Sequence, residues 1–293
     1  MRKSIENEYL KVEVDLLGGA LTSFFDKKKN EELLYQKEEG SWQGQDVVIF
    51  PFVARLKNQT YLYKGKEYSM RNHGLCRYNT FTVKEEKEDK LVISFVSSDE
   101  TLKEYPFPFE VNVTYLLEDK KLKVSFEIIN KGKEMMSFGL GSHPAFILDS
   151  IINNNEVDTS GNYVYFNEEK ELTRICFDEK GEMVLGEEKY QNLDRIEIKK
   201  ELFKQYKTLC VKGNNLNDVT LVRKNGRKIF FHYDDINYFI LWSFPNNGSF
   251  VAIEPWMSLP DFDNAPREID KKETLLHLEA SQSYLFKFDI SID

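Results

Sequence analysis

The sequence predicts an all-β protein: a sandwich or barrel of many short antiparallel strands with few short helices. Three observations carry this expectation. Segments alternating apolar and polar residues recur along the chain. Charged or Asn/Gly-rich turns separate most of them. Tyr (15) and Phe (22) are plentiful, a composition that favours strands. No linker, composition break or fixed-period repeat interrupts the chain, so a single domain over 1–293 is the economical expectation for a large all-β fold.

In chain order, Leu10, Val12 and Val14 alternate with polar residues, Gly18-Gly19 turns, and Ala20 to Phe25 returns. Trp42 to Gln59 is apolar but irregular, and Pro51 argues against a central strand there. Tyr61 to Met70 fits a hairpin turning at Lys64-Gly65. Phe81 and Val83, then Leu91 to Val96, read as strands around a charged turn. Ser98 to Tyr105 is a short helix, capped by Ser98 or Asp99 and ended by Pro106. Phe109 to Leu117 and Leu122 to Ile128 alternate clearly and predict a hairpin with one buried face. Leu148 to Asn162 is polar and Asn-rich and reads as a loop. Val184 to Lys207 is charged, with a helix expected near Leu202-Phe203. Asn225-Gly226 joins the strands around Leu221 and Phe230. Tyr238 to Trp242 is continuously apolar, a strand buried on both sides, and Asn246-Asn247-Gly248 turns it into Phe250 to Glu254. Asp261 to Lys272 is a polar loop, and Tyr284 to Ile290 closes the chain as a strand.

The formal net charge of -9 argues against nucleic acid as the main partner, which needs a basic face. Hydrophobic residues at 41% and charged residues at 30% exclude a disordered chain. Three scattered cysteines, Cys76, Cys176 and Cys210, form no disulfide framework and suit a reducing compartment. The N-terminus lacks an apolar core and no apolar run is long enough to span a bilayer, so the expected location is cytoplasmic, with no membrane partner.

Of four histidines, two stand beside glycine or proline. His73 precedes Gly74, where the backbone can turn tightly or approach a ligand. His143 precedes Pro144, which restricts the histidine towards extended backbone. Glu254 follows the apolar run Phe250 to Ile253; buried there, it would have a raised pKa and serve as a base. Alternation alone equally allows Glu254 to face solvent, opposite Val251 and Ile253. Arg55 and Arg77 flank these segments and suit hydroxyl or phosphate oxygens, although surface charge is the commoner fate of an arginine. Trp242 offers a stacking face for a sugar but equally reads as core. His232 and His277 read as structural. No metal site is expected: the chain has no His-Glu-x-x-His pattern, and His73 with Cys76 is half a ligand set.

These motifs, taken in order, resemble the aldose 1-epimerase (galactose mutarotase-like) superfamily along nearly the whole chain. The resemblance rests on Gly19 to Phe24, Phe52-Val53-Ala54-Arg55, Asn72-His73-Gly74-Leu75-Cys76-Arg77, Tyr105-Pro106-Phe107, Gly141-Ser142-His143-Pro144-Ala145-Phe146, and Ile253-Glu254-Pro255-Trp256 with Pro260-Asp261. The Ser-His-Pro-Ala-Phe and Ile-Glu-Pro-Trp forms look like the branch that includes the LacX proteins. A sugar-binding aspartate in a Gly-Tyr-Asp-His motif has no counterpart here. The resemblance implies a large antiparallel β-supersandwich with its site in a cleft. It assigns Glu254 as general base, His143 as general acid, His73 as a further active-site histidine, Arg55 as the active-site arginine and Arg77 as an arginine that helps bind a phosphate; Asn72 and Trp242 are the further candidates for substrate binding. It implies interconversion of the α and β anomers of a free or 6-phosphorylated aldose, with no cofactor or metal. The partner would be a small sugar or sugar phosphate, and the protein a monomer or homodimer. The alternatives are a non-catalytic carbohydrate-binding protein on the same fold and a sandwich domain of a polysaccharide-processing enzyme.

Overall fold

Period-two spacing along Phe109–Glu118 and Lys121–Asn130 puts every second side chain on one face. The two strands pair antiparallel with Val113 opposite Phe126, and Ser283–Ile292 adds to the second with Phe288 opposite Val124. The apolar rows of all three join one hydrophobic cluster that runs from Ile5 to Ile292. Burying each Val, Leu or Phe in such a core stabilises by roughly 1.5–3 kcal/mol. The computed structural model describes residues 1–153, 156–213, 216–244 and 248–293.

Among the described residues the fold is all-β, with a four-stranded N-terminal sheet and a fifteen-stranded antiparallel sheet. The first comprises Arg2–Glu6, Leu10–Asp15, Ala20–Asp26 and Glu31–Glu32. It packs onto the second through Leu10, Val12, Leu21 and Phe24. The buried Tyr115 hydroxyl ties the two by donating to the Gly19 carbonyl at 2.7 Å. Towards one edge of the large sheet, Gly141–Ser142, Phe250–Trp256, Tyr238–Trp242, Thr208–Lys212 and Asn162–Phe177 lie side by side. These strands carry the site.

Several local expectations hold. The hairpin Thr60–Tyr63 to Lys66–Ser69 turns on Lys64 and Gly65, both at positive φ. The short helix is Thr101–Glu104, and Ser98 Oγ accepts the Thr101 N–H at 3.3 Å. The second helix is Lys200–Tyr206. Asn246 and Asn247, expected to turn the chain, lie outside the described residues.

Two expectations fail. Leu148 to Asn162 contains the paired strands Ile151–Asn153 and Glu156–Asp158. Ile151 and Ile152 are both exposed, so no wet–dry alternation marks the first of these strands, and the second buries only Val157. The charged stretch before the second helix is a long strand, Val184–Ile198, paired with Asn162–Phe177. Register shifts between Tyr165 and Lys170 and between Glu171 and Thr173 break the period that would have revealed it.

Candidate active site

Strand Phe250–Trp256 is buried at every position. Val251 and Ile253 enter the main core, whereas Phe250 and Ala252 face an aromatic cluster with Tyr35, against which Trp42 and Trp242 pack. Glu254 shares that second face. The alternation is therefore as a solvent-facing Glu254 requires, but aromatic side chains wall the face, and Glu254 is 1% exposed. Its Oε2 accepts the Trp256 Nε1–H at 3.1 Å, and its Oε1 lies 3.3 Å from His143 Nε2.

His143 arrives by register. Gly141 pairs with Trp256 and Ala145 with Ala252, both antiparallel. The same register, carried through the interruption at His143-Pro144, sets His143 opposite Glu254, where cross-strand side chains share a face. Gly141 is needed beside them, because a Cβ there would lie 2.8 Å from the Trp256 indole. The His143 backbone N–H donates to Asp46 Oδ1 at 2.7 Å, and Ser142 Oγ donates to the same oxygen at 2.9 Å. His143 Nδ1 is buried and makes no hydrogen bond.

His73 sits in the loop after Lys66–Ser69, with φ +62°, a left-handed conformation uncommon outside glycine. Gly74 follows at φ +76°, and a Cβ on it would lie 2.3 Å from the Phe50 carbonyl oxygen. The close approach lets the Leu75 N–H reach that oxygen at 2.7 Å. The turn returns His73 to Ala54: the His73 N–H donates to the Ala54 carbonyl at 2.8 Å, and the Ala54 N–H donates to His73 Nδ1 at 3.2 Å. Since Nδ1 accepts, the neutral ring carries its proton on Nε2. The His73 and His143 rings stand edge to face, 5.7 Å apart.

All seven residues singled out from the sequence line one cleft of about 390 Å³: Arg55, Asn72, His73, Arg77, His143, Trp242 and Glu254. Trp42, Lys180, Glu182, Lys207 and Trp256 also line it and were not singled out. Trp42 lies 5.0 Å from the His143 ring and 5.2 Å from Trp242, so the two indoles form an apolar wall beside the acid–base pair. The sequence signal for Asp46 was present, a carboxylate abutting the apolar run Val47 to Phe50, the mirror image of Glu254. No signal marked the lysines, which come from the turn before Val184–Ile198 and from the end of the second helix.

Arg55 Nη1 meets Glu182 Oε1 at 2.7 Å, so its charge is engaged. Arg77 does not pair with Glu67, an acid near it in sequence, which meets Arg267 instead. His277 bonds Ser137 Oγ at 2.9 Å. His232 is on strand Lys228–Tyr233 but, contrary to its apolar sequence context, is exposed and pairs with Asp218 at 2.8 Å. Among the described residues no three His, Cys, Asp or Glu side chains are grouped to hold a metal ion, and no helix is long and apolar enough to cross a membrane.

Burial dominates the electrostatics of the pair. It holds the Glu254 carboxyl well above the usual carboxylate range, against the Trp256 N–H and with help from the charge of Asp46. Burial brings His143 down to about 4, opposed by its own carbonyl and aided by Arg77. His73 falls well below the usual imidazole range through burial, then the nearby His143, Arg77 and Arg55. Burial therefore biases both rings towards the uncharged form and the Glu254 carboxyl beside His143 towards the protonated form.

The aldose 1-epimerase family model matches residues 1–288. The chain belongs to the aldose 1-epimerase family. Two LacX proteins of Lactococcus lactis subsp. lactis, plasmid and chromosomal, are 31% and 30% identical to it over 270 residues, covering 88% of this chain and 88% of each relative. Among solved structures, a galactose mutarotase related enzyme from Lactobacillus acidophilus superposes with a TM-score of 0.90 at 27% identity, covering 100% of this chain and 97% of that one. A galactose mutarotase-like protein from Lactobacillus casei gives 0.92 at 23% identity with both chains fully covered, a likeness of fold. The galactose mutarotase-like architecture expected of the family is the one the chain adopts.

Proposed function

We propose that this member of the family interconverts the α and β anomers of an aldose by opening and closing its ring. The observation that carries the reading is the contact of His143 Nε2 with Glu254 Oε1 at 3.3 Å, with neither side chain paired to an opposing fixed charge. In the working form Glu254 is a carboxylate and His143 an imidazolium, the pair sharing one transferable proton. Glu254 takes the proton of the C1 hydroxyl while His143 gives its own to the ring oxygen. The bond from C1 to the ring oxygen breaks and C1 becomes a carbonyl. Glu254 is then neutral and protonated, and His143 neutral. Rotation about C1–C2 exposes the other carbonyl face, and the same proton transfers reversed close the ring. The pair regains its starting state, so no proton is exchanged with solvent and no cofactor is consumed. Positioned acid–base groups of this kind contribute about two to four powers of ten in rate.

Burial favours the proton on Glu254, which supports a second assignment of the same pair. Glu254 would protonate the ring oxygen and His143 accept from the C1 hydroxyl, with the same proton count. His73, neutral with Nε2–H free to donate, orients a ring hydroxyl. Trp42 and Trp242 supply faces for sugar C–H groups, and Asn72 a polar contact.

We further propose a 6-phosphorylated aldose as the preferred substrate. Arg77 is half-buried in the cleft and has no carboxylate partner among the described residues, and neither have Lys180 and Lys207 at the rim. An unpaired, partly buried guanidinium favours an anionic ligand. Arg55, expected to share this role, is held by Glu182, which a phosphate would have to displace. NMR exchange spectroscopy on α and β anomers of several aldoses and their 6-phosphates tests the reading. Acceleration proportional to protein is expected, faster for the phosphates; binding with no acceleration for any sugar would leave only a carbohydrate-binding protein.

A further inference from the structure

The carboxylate of Asp46 takes no part in the proton transfers above, yet it is buried directly behind them. Its partners are neutral donors: the backbone N–H groups of Leu21, His143 and Val47 and the hydroxyl of Ser142. Burial pushes the Asp46 carboxyl above its usual value and these four donors pull it back down; backbone N–H groups cannot accept in return, so the cradle's geometry suits the ionised, acceptor-only form. Two of the donors belong to the catalytic segment itself, Ser142 and His143. The Leu21 N–H, at 3.1 Å from Oδ2, anchors the other oxygen to the N-terminal sheet.

We propose that Asp46 is a positioning residue for the reaction: ionised, it clamps the main chain of His143 opposite Glu254 and places a fixed negative charge behind the pair that retains the pair's working proton. The proposal rests on the acid–base reading of that pair. Around it, Glu254 faces Asp46, His143 and Cys210, and receives the Trp256 N–H. His143 faces Arg77 and His73, and Asp46 faces Tyr115 from the sheet below. Asp46 and Arg77 therefore act in opposite senses on the pair: the anion favours its protonated forms and the cation disfavours them.

The test is Asp46→Asn, close in size but uncharged, assayed for anomer exchange across pH with an aldose that the wild type turns over. Removing a negative charge disfavours protonated forms, so both limbs of the pH–rate profile must move to lower pH, on the order of one unit. The loosened clamp should lower kcat by about tenfold to a hundredfold. A purely structural aspartate would reduce activity without moving the limbs, and unmoved limbs overturn the proposal. If Asp46→Asn does not fold, carbon-13 NMR of the wild-type carboxyl groups decides: Asp46 ionised throughout the active range supports the proposal, and Asp46 protonated at neutral pH overturns it. A wild type that exchanges no anomers removes the catalytic reading together with this one; exchange with unmoved limbs removes this one alone.

Discussion

At the seam between the N-terminal sheet and the large sheet, Arg227 meets Asp26, Asp293 and Glu31, while Arg223 meets Glu31 at 2.5 Å and Asp149 at 2.6 Å. In the cleft, Glu254 is buried as deeply but meets an indole N–H and an imidazole, with no fixed cation against it. Both regions place charged groups away from water, and only the seam balances them. Balanced charge serves structure: the seam ties Asp26 and Glu31, Asp149 and Asp293 to the segment that carries Arg223 and Arg227. Unbalanced burial leaves the proton as the mobile element, because the group answers burial by changing its proton affinity. The contrast separates a structural use of buried charge from a chemical one within a single fold.

Breaking the cleft should therefore cost rate, and breaking the seam should cost stability. The largest effect expected is from Glu254→Gln, which keeps shape but cannot take a proton: exchange should fall by about two to four powers of ten, with the melting temperature unchanged or raised. A Glu254→Gln protein that melts far earlier would place Glu254 with the seam. Arg227→Met leaves buried carboxylates without their partner and should cost about 3–5 kcal/mol in urea denaturation, while the folded fraction keeps its turnover. Lost turnover at retained stability would erase the contrast from the other side.

The wild-type pH profile sharpens the same point. Below about 4 a second proton reaches His143, the base is lost, and activity falls as pH falls. At the other end the pair loses its shared proton only well above the usual carboxylate range, so the basic limb lies above the pH at which an exposed carboxylate would titrate. A profile with its acid limb at ordinary imidazole values would mean that His143 is not buried in the working enzyme. The smallest effect expected is at the rim. Arg77→Ala should weaken a hexose 6-phosphate by about 2 kcal/mol and leave the free hexose nearly untouched. Equal effects on both would make Arg77 structural.

Strands with one wet face were legible in the sequence because alternation reports the contrast between the faces: Phe109–Glu118, Lys121–Asn130 and Ser283–Ile292 are plain. Asn162–Phe177 and Val184–Ile198 were not, because bulges shift their register and much of the hairpin is wet on both faces. The site divides along similar lines. Glu254, His143 and His73 stand out locally, beside an apolar run, a proline or a glycine. Asp46 carries the same local signal as Glu254, a carboxylate against an apolar run, whereas Trp42, Lys180 and Lys207 acquire meaning only when tertiary packing places them around the cleft.

The double-mutant cycle on Glu254→Gln and His143→Asn, read by NMR anomer exchange, tests most directly whether the unbalanced pair is one catalytic unit. Both single variants should lose most of the rate, and the double variant should be little worse than either, because each partner is useless without the other. Losses that multiply would show two independent contributions and contradict the shared-proton account.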